Sequence, residues 1–387
     1  MSYLIVYNYE MDYKKEALKK HKQLKGKISI KLKDNLSSVQ KLSTYYTPGV
    51  GVVSEHLSRN PKETPLYTWT NNCVAVISDG SAVLGLGNVG PEAALPVMEG
   101  KAMLFKHFAQ INAVPIVIDV HTVDEIVRTV EAIAPSFGAI NLEDIAAPIC
   151  FEVERRLIHS IEKPIMHDDQ HGTAVVVLAG LINAMRVTKR DFSKTKIVVS
   201  GAGAAGTAIV ELIYKFVSPH IIVVDSKGIV NSARQDLNEE KKYLLKFSNP
   251  ENIEGILADS LKGADVFLGV SKAGLLSTKM IKTMSKDPII FAMANPDPEI
   301  MPGEAIRSGA AIVATGRSDF PNQINNALAF PGIFRGALDN KVNRITTKHK
   351  IAAAKAIASL VKNPSAERIV PTIQDKRIVP AIAEIML

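Results

Sequence analysis

Two pairs of adjacent carboxylates are the residues of this sequence best suited to chemistry. They are Glu143-Asp144 and Asp168-Asp169, and each pair ends an apolar segment with the composition of a buried β-strand. Ligands of open α/β sheets collect at the carboxyl ends of the strands, and carboxylates gathered there repel one another unless a cation neutralises them. Because hard oxygen ligands suit Mg²⁺ or Mn²⁺, the four acids predict a divalent-metal site.

Each acidic pair also has a simpler explanation, since surface acids and helix caps commonly follow a strand. For either pair alone that explanation would be preferred. The two pairs together, with the segment HDDQHGTA (residues 167–174) leading straight into a predicted helix, favour the metal site. A metal there could hold the hydroxyl and carboxylate oxygens of a 2-hydroxy acid and then stabilise a developing enolate.

The segment GAGAAG, residues 201–206, matches the glycine pattern G-x-G-x-x-G of dinucleotide-binding sites. A predicted strand precedes it, a predicted helix follows it, and the next predicted strand ends in Asp225, 24 positions after Gly201 (225 − 201). This spacing suits the acid that binds a ribose, and the helix N-terminus attracts phosphates. The glycines could form an unliganded packing turn, but their flanking elements favour a cofactor. The predicted cofactor residues of this region are Gly201, Gly203, Ala204, Ala205, Gly206, Asp225 and Lys227.

The choice between NAD and NADP depends on Asp225 and its surroundings. A carboxylate at this position accepts from both ribose hydroxyls and repels a 2′-phosphate, which favours NAD. Lys227, two residues later, could offset that repulsion and admit NADP. We therefore predict NAD, with NADP as the alternative.

A second G-x-G-x-x-G match, GLGNVG at residues 85–90, lacks this context. Pro91 follows it directly, and the next strand-ending acid, Asp119, lies 34 positions after Gly85 (119 − 85). We predict that these glycines form a tight turn and a loop beside the substrate.

Alternating strands and helices extend over most of the chain. Strands are predicted at residues 74–78, 82–87, 114–120, 139–145, 163–169, 196–200, 220–225, 266–270, 288–295 and 310–316, and helices at 91–110, 123–134, 151–160, 172–187 and 347–361. This alternation predicts an α/β protein in which an N-terminal α/β domain precedes a Rossmann-type, doubly wound parallel sheet. We place the domains at residues 1–165 and 166–340, and expect C-terminal helices, 341–387, to pack back on the body.

The composition suits a soluble protein with more than one core. The chain has 387 residues, of which 47% are apolar, and carries a net charge of +7. No apolar run approaches the roughly 20 residues of a membrane span, the N-terminus lacks the pattern of a signal peptide, and the two cysteines, Cys73 and Cys150, suit a reducing compartment. We expect a cytoplasmic protein that binds neither membrane nor nucleic acid, because the basic residues are spread and form no recognition motif.

Several longer segments together resemble the malic enzyme family, most closely its short bacterial members. They are YTPGV (46–50), SDGSAVLGLGNVG (78–90), EGKAM (99–103), NLEDI (141–145), HDDQHGTA (167–174), FAMANPDPE (291–299) and INNALAFPGIFRG (324–336). The resemblance extends from about residue 35 to residue 340. It implies an N-terminal malic domain followed by a Rossmann-type NAD(P)-binding domain.

The resemblance also implies a role for individual residues. Lys101 would be the base that takes the proton of the substrate hydroxyl, which requires its pKa to be lowered by burial or by the metal. Asp168 would orient or relay that proton, and Tyr46 would protonate C3 of the enolate. The implied metal ligands are Glu143, Asp144 and Asp169, and the implied substrate and nicotinamide contacts are Asn295 and Asn326.

Each of these residues has an alternative. Lys101 could be a solvated helix lysine, and Asn295, before a proline, could simply start a turn. Tyr45 could be confused with Tyr46. Asn325 could make the contact in place of its neighbour Asn326. His171 is interpreted as a polar residue near a helix start.

The sequence departs from the family at one position. Larger members carry an arginine just after the Asp-Gly turn, where it holds a malate carboxylate, whereas here the sequence is Asp79-Gly80-Ser81-Ala82. Backbone N–H groups around Ser81 and the glycine loop, or a basic residue of a partner subunit, are the candidates for that role.

The resemblance implies oxidative decarboxylation of L-malate to pyruvate and CO₂ with NAD(P) and a divalent metal, in a homodimer whose catalytic cleft lies near the interface. A malolactic enzyme, which yields lactate, would use the same residues. A non-catalytic dinucleotide-binding protein is a second alternative, against which the acids, Lys101 and Tyr46 argue.

Overall fold

Two parallel β-sheets, one in each half of the chain, carry the acidic and glycine-rich segments described above. The structure is a computed structural model and describes residues 13–83 and 85–387. The first sheet has four strands and the second has six. The predicted α/β fold with parallel sheets is therefore confirmed.

The described chain begins with helices that lie largely at the surface. Their bounds are α1 (Tyr13–Leu24), α2 (Val39–Tyr45), α3 (Gly49–Arg59) and α4 (Thr64–Tyr67). Neither α2 nor α3 contains a buried residue. Helix α2 begins after Ser38 because the Ser38 hydroxyl caps it, accepting a hydrogen bond from the Lys41 N–H. These helices pack chiefly against one another and against the short turns between them.

The first sheet consists of four parallel strands with helices between them. In chain order its elements are β1 (Cys73–Ser78), α5 (Pro91–Ala109), β2 (Asn112–Val117), α6 (Val123–Ile133), β3 (Ala139–Leu142), α7 (Ile149–Ser160) and β4 (Ile165–His167). The strand order is β2-β1-β3-β4. Strand β1 is buried throughout because a separate apolar core covers each face of the sheet. Asp79, Glu143 and Asp168 directly follow β1, β3 and β4, so they meet at one edge of the sheet.

Helix α8 (Asp168–Thr188) begins at the residue after β4 and leads to the second half of the chain. The prediction of a strand over residues 163–169 is wrong at its end, because β4 stops at His167 and both following acids lie in the first helical turn. The positive end of the helix dipole favours acids there. Among the described residues, α8 alone is long and apolar enough to cross a membrane, but 67% of that apolar stretch is buried inside the protein. It serves here as a core helix.

The second sheet is a doubly wound sheet around β5. Its elements are β5 (Lys196–Ser200), α9 (Ala204–Val217), β6 (His220–Asp225), β7 (Gly228–Ile229), α10 (Glu239–Leu244), α11 (Leu257–Ser260), β8 (Val266–Gly269), α12 (Thr278–Ile281), β9 (Ile289–Ala292), α13 (Pro302–Arg307) and β10 (Ile312–Thr315). The strand order β10-β9-β8-β5-β6-β7 has the Rossmann form, in which the order reverses beside β5. Strands β5 and β6 have the predicted bounds, whereas β7 is an unpredicted antiparallel edge strand.

The C-terminal helices contact both halves of the chain. They are α14 (Phe330–Asp339), α15 (Thr347–Ser359) and α16 (Ile378–Ala383). Helix α15 packs on α8, while α14 packs on α5 and α16. The rings of Phe330 and Phe334 lie 4.7 and 5.3 Å from the ring of Phe105 on α5. The exact domain boundaries at residues 165 and 340 stay a prediction.

Candidate active site

Lys101 lies in the interior of the protein, on α5. Its side chain is only 7% exposed, and its Nζ lies 2.6 Å from Asp168 Oδ2 and 2.7 Å from Glu143 Oε1. The Phe330 ring covers the amine, with its centroid 4.3 Å away. The alternative of a solvated helix lysine is therefore wrong. The structure brings the predicted base and the predicted acids into one buried group.

Three of the acids are close enough to share one cation. Carboxylate oxygens of Glu143, Asp144 and Asp169 all lie within 4.8 Å of one another. The loop after β3 and the start of α8 are also joined directly, because Asp169 Oδ2 accepts from the Asp144 N–H at 2.8 Å. We call these three residues and Asp168 the acid cluster. The three residues that share this space are the ones predicted as metal ligands.

The acid cluster carries more negative charge than Lys101 can balance. Burial raises the pKa of Glu143 to about 7 and that of Asp169 to about 6, although the charge of Lys101 opposes the rise. Burial likewise raises the pKa of Asp168 to about 6. Four carboxylates beside one ammonium group leave a net charge that a divalent cation would neutralise. The donor set therefore fits Mg²⁺ or Mn²⁺.

The charge state of Lys101 depends on the same carboxylates. Burial alone would lower the pKa of Lys101, but the charges of Asp168 and Glu143 outweigh burial and raise it. A raised pKa keeps the amine protonated, which is the opposite of what a general base needs. A bound cation would offset the carboxylate charges, so the base function of Lys101 requires the cation to be present.

A hydrogen-bond network after β1 holds the loop that carries two of the acids. Asp79 Oδ1 accepts from the N–H and the hydroxyl of Ser81, at 3.0 and 2.6 Å. The Ser81 hydroxyl accepts from the Ala146 N–H at 2.9 Å, and the Ala82 N–H donates to the Asp144 carbonyl at 2.9 Å. The loop after β1 thereby positions the loop after β3.

This network bears on which group could hold a substrate carboxylate in place of the arginine that larger family members carry after the Asp-Gly turn. The N–H groups of Ser81, Ala82 and Val83 already donate to Asp79, Asp144 and Gly87. These three N–H groups are thus engaged within the chain, and the group that holds a substrate carboxylate stays a prediction. The predicted strand at 82–87 is wrong, because the described residues of this stretch, 82–83 and 85–87, form turns joined by a single bridge between Val83 and Gly87.

Gly172 shows how Asp168 and Asn326 come together. A Cβ added to Gly172 would lie 1.8 Å from Asp168 Oδ1 and 3.1 Å from the Asn326 Cβ. The Asp168 carboxylate thus folds over the glycine one helical turn later, where Asn326 also packs. Asn325 has a different task, since its Oδ1 accepts from the Ala327 N–H at 2.9 Å. The structure therefore places Asn326 beside Gly172 and Asp168, whereas Asn325 caps the short turn that follows it.

Asn295 lies where the second sheet approaches the glycine loop of the first half. Its Nδ2 lies 3.0 Å from the position of a Cβ on Gly316, and its carbonyl oxygen lies 3.6 Å from the corresponding position on Gly85. Asn295 follows β9 and Gly316 follows β10. Carboxyl ends of these strands form the crevice in which Rossmann-type sheets hold a dinucleotide. The loop at residues 85–90 is accordingly a neighbour of the site.

The two adjacent tyrosines have different surroundings. The Tyr45 hydroxyl donates to Asp34 Oδ2 at 2.8 Å, and this bond raises the pKa of Tyr45. Tyr46 is 66% exposed, and among the described residues its phenol has no hydrogen-bond partner. No hydrogen bond or ring contact joins Tyr46 to Lys101 within the part of the chain that the structure describes. Of the predicted catalytic residues, Tyr46 is the one that the fold of a single chain leaves outside the site.

The loop between β5 and α9 has the geometry expected of a phosphate-binding turn. Gly201 has a φ of +125°, and a Cβ on Gly206 would lie 1.9 Å from the Gly201 carbonyl oxygen. Nothing approaches the position of a Cβ on Gly203 within 4 Å, so a ligand could contact its backbone there. Ala204 and Ala205 form the first turn of α9, whose N-terminus favours phosphate.

The predicted ribose acid is already engaged by two basic side chains. Asp225 accepts from Arg234 through both oxygens, at 2.8 and 3.0 Å, and from Lys241 Nζ at 2.6 Å. Although burial opposes ionisation, Arg234 and Lys241 hold the pKa of Asp225 below its usual value. The Lys227 amine pairs with Asp236 instead, at 3.0 Å, although its N–H donates to Asp225.

Sequence reasoning missed three residues of these two regions. Arg234 lies in the irregular segment after β7 and Lys241 lies in α10, and no motif links either of them to the ribose acid. Phe330 belongs to the INNALAFPGIFRG segment, but nothing in that segment indicated that its ring would cover a lysine.

A Rossmann-type sheet beside a buried lysine and acid cluster defines an α/β protein of the nicotinamide-dependent oxidoreductase class. Two family models extend the comparison to most of the chain. The malic enzyme N-terminal domain matches residues 24–158, and the malic enzyme NAD-binding domain matches residues 170–385. The chain belongs to the malic enzyme family.

Individual relatives agree with this assignment. The chain is 50% identical to a bifunctional malic/malolactic enzyme of Bacillus subtilis, over 97% of this chain and 92% of the relative. It is 45% identical to an NADP-dependent malic enzyme of Halomonas elongata, over 89% and 81% of the two chains. The crystal structure of an NAD-dependent malic enzyme from Thermotoga maritima is similar, with a TM-score of 0.92 and 47% identity over 95% of this chain and 98% of that one.

Proposed function

We propose that the protein oxidises and decarboxylates L-malate to pyruvate and CO₂ and reduces NAD(P). The observation that carries this proposal is the position of the Lys101 amine between Asp168 and Glu143, beside three acids that can share one cation. The direct test is an assay with malate, Mn²⁺ and either cofactor. Pyruvate and reduced cofactor should appear in equal amounts, and formation of neither would refute the proposal.

The residues of the chain divide the reaction between them. Lys101 accepts the proton of the C2 hydroxyl while hydride leaves C2 for the cofactor, and Asp168 holds or relays that proton. A divalent cation held by the other three acids would polarise the substrate oxygens and act as the electron sink when the C3–CO₂ bond breaks. Tyr46 then donates a proton to C3, which completes pyruvate. Asn295 and Asn326 orient the substrate beside the nicotinamide.

We propose that the working enzyme is a homodimer that covers the N-terminal segment, which we define as residues 13–72. Most of the exposed large apolar side chains of the described residues lie in this segment; they include Leu18, Ile30, Leu32, Val39, Val52 and Leu66. A concentration of exposed apolar side chains in one segment is typical of an interface. Tyr46 belongs to the same surface, so a dimer would bring it into contact with other groups.

The dimer proposal can be tested by light scattering. The wild-type protein should have the mass of two chains, and Val52→Asp should lower both the mass and the turnover. Ile306→Asp, an exposed apolar position on α13, is the matched control and should change neither. A fully active single chain would contradict the proposal.

For the cofactor, we propose that the protein accepts NADP as well as NAD. The sequence favoured NAD because a bare Asp225 would repel a 2′-phosphate. Arg234 and Lys241 neutralise that carboxylate, so the repulsion is weaker than the sequence implied. Relative kcat/KM for the two cofactors is the measurement. Arg234→Ala should lower kcat/KM with NADP more than kcat/KM with NAD. An equal loss of kcat/KM with both cofactors would refute this role.

Conversion of malate to lactate is a second candidate function, because the Bacillus subtilis relative is named as a bifunctional malic/malolactic enzyme. That reaction would return the hydride to the keto acid before release. Lactate formed without net reduced cofactor would favour it, and pyruvate with reduced cofactor would favour the first proposal.

We also propose a cytoplasmic location. The two thiols, Cys73 and Cys150, are buried and form no disulfide, as is usual in a reducing compartment. Fractionation of cells that express the protein would test this, and recovery outside the cytoplasmic fraction would refute it.

A further inference from the structure

Glu154, on α7, is a buried carboxylate to which the proposed reaction assigns no role. Its Oε1 accepts from the His167 backbone N–H at 2.7 Å, and its Oε2 lies 2.8 Å from His171 Nε2. The side chain of Glu154 is 8% exposed and that of His171 is 17% exposed. One carboxylate therefore contacts the chain on both sides of Asp168 and Asp169.

These contacts join the two halves of the chain. Glu154 lies in the part matched by the N-terminal family model, and His171 lies in the part matched by the NAD-binding model. The acids Asp168 and Asp169 fall in the short connection between the two matched parts. A contact that spans this connection fixes the direction in which α8 leaves the first sheet.

The charge of Glu154 is well supported in the interior. Burial alone would raise its pKa, but the neighbouring His171 and the charge of Lys350 on α15 lower the pKa to about 2, although burial lowers the pKa of His171 itself. The N-terminus of α8 adds further stabilisation for an anion. Glu154 is therefore a permanent acceptor for the His167 N–H.

The first turn of α8 has little freedom to adjust its acids. Asp168 must reach Lys101 Nζ at 2.6 Å, and Asp169 must reach the Asp144 N–H at 2.8 Å. If the start of α8 rotated by a fraction of a turn, at least one of these two contacts would break. The hydrogen bond from the His167 N–H to Glu154 opposes that rotation.

We propose that Glu154 is a positioning residue that sets the orientation of Asp168 and Asp169, and thereby the affinity of the acid cluster for a divalent cation. The proposal rests on the proposed function, since it assumes that the acid cluster holds such a cation. Glu154 itself touches neither the substrate nor the cation.

The test measures Mn²⁺ binding by electron paramagnetic resonance and reduced-cofactor binding by fluorescence. Loss of a partner that orients metal ligands typically weakens metal binding by roughly 10–100-fold, so we expect this loss in Glu154→Ala. Glu154→Asp, which is one methylene too short to reach both partners, should behave similarly. Reduced-cofactor affinity should change by less than about twofold, because neither contact of Glu154 involves the cofactor loop at residues 201–206.

Two further variants separate positioning from general stability. Glu154→Gln keeps an oxygen for the His167 N–H and should restore Mn²⁺ affinity to within about threefold of wild type. Glu152→Ala removes an exposed acid on the same helix that pairs with Arg155, and it should leave Mn²⁺ affinity unchanged. If Glu154→Ala does not fold, the comparison of Glu154→Asp with Glu154→Gln gives the answer.

Each outcome has a distinct meaning. Wild-type Mn²⁺ affinity in Glu154→Ala or Glu154→Asp, in an enzyme that oxidises malate, would overturn the positioning role and leave the proposed function intact. Equal losses of Mn²⁺ and cofactor affinity would also overturn it, because they indicate a general loss of structure. Absence of both Mn²⁺ binding and malate oxidation in the wild type would instead refute the proposed function.

Discussion

The acid cluster and the N-terminal segment differ in how far one chain completes them. Lys101 and Asp168 are almost fully buried, and each charged group of the cluster has its neighbours within the same chain. Tyr46 and the apolar side chains around it are exposed, and helices α2 and α3 bury no residue. The folding of a single chain therefore determines the first region, whereas the second requires a further surface.

This difference separates the two proton transfers of the proposed reaction. The group that removes the first proton is assembled by folding alone, and it needs a cation to lower its pKa. The group that donates the second proton depends on what covers the N-terminal segment. Conditions that dissociate the assembly should therefore affect the second transfer more than the first.

The largest expected effect comes from removing the base. Lys101→Ala should lower kcat for malate oxidation by roughly 10³–10⁴-fold, since a positioned base contributes about this much. Cofactor affinity, measured by fluorescence, should stay at its wild-type value because Lys101 lies in the first half of the chain. Lys106→Ala, an exposed lysine on the same helix, is the control. Substantial turnover in Lys101→Ala would end the assignment.

Substitution of a glycine tests how closely α8 packs against the Asp168 carboxylate. Gly172→Ala should lower kcat by about 10²–10³-fold, because its Cβ would lie 1.8 Å from Asp168 Oδ1 and displace that carboxylate. Gly100→Ala is the matched helical glycine beside Lys101, where the nearest atom is a flexible lysine amine at 3.6 Å. It should keep full activity and gain about 0.4–1 kcal/mol of stability. Equal behaviour of the two variants would contradict the close contact.

Removing the phenol probes the other region. Tyr46→Phe should lower the rate of pyruvate formation by about 10²-fold, as expected for loss of a general acid. Reduction of an added keto acid, which bypasses C3 protonation, should fall much less. Tyr45→Phe removes a hydroxyl that bonds only to Asp34 and should retain turnover. Full turnover in Tyr46→Phe would show that another group donates this proton.

The smallest expected effect is the pH dependence of metal-linked stability. Glu143, Asp168 and Asp169 have pKa values raised to between about 6 and 7, so the folded, metal-free protein binds more protons than the unfolded chain between pH 4 and those values. Its stability contribution from these acids is present at low pH and is lost as the pH rises towards 7. A bound cation replaces the protons and restores this contribution to stability.

Saturating Mn²⁺ should therefore raise Tm by several degrees near pH 7.5 and by much less near pH 5, because protons compete for the carboxylates. Calorimetry at the two pH values, with and without Mn²⁺, is the measurement. Glu143→Gln should reduce the difference between the two pH values. An equal gain in Tm at both would mean that the cation binds away from these acids.

The sequence alone was sufficient for the main strands of both sheets and for the acids that follow two of them. The strands β5 and β6 have the predicted bounds because continuous β-branched runs between helices leave little choice of register. The acid cluster was predicted because each pair of acids follows a strand, and parallel strands end at one edge of a sheet. The error in the predicted end of β4 did not affect this prediction, because the start of α8 and the end of β4 lie at the same edge of the sheet.

Contacts between residues far apart in the chain could only come from the tertiary structure. Nothing local to Asp225 indicated that Arg234 and Lys241 would neutralise it, because they lie 9 and 16 positions further along and reach Asp225 only through the way the intervening chain folds. In the sequence Glu154 is one of several acids on a predicted helix, and only the folded structure brings it into contact with His171. Burial of Lys101 and exposure of Tyr46 are likewise properties of the packed chain, because solvent exposure depends on which distant segments cover a residue.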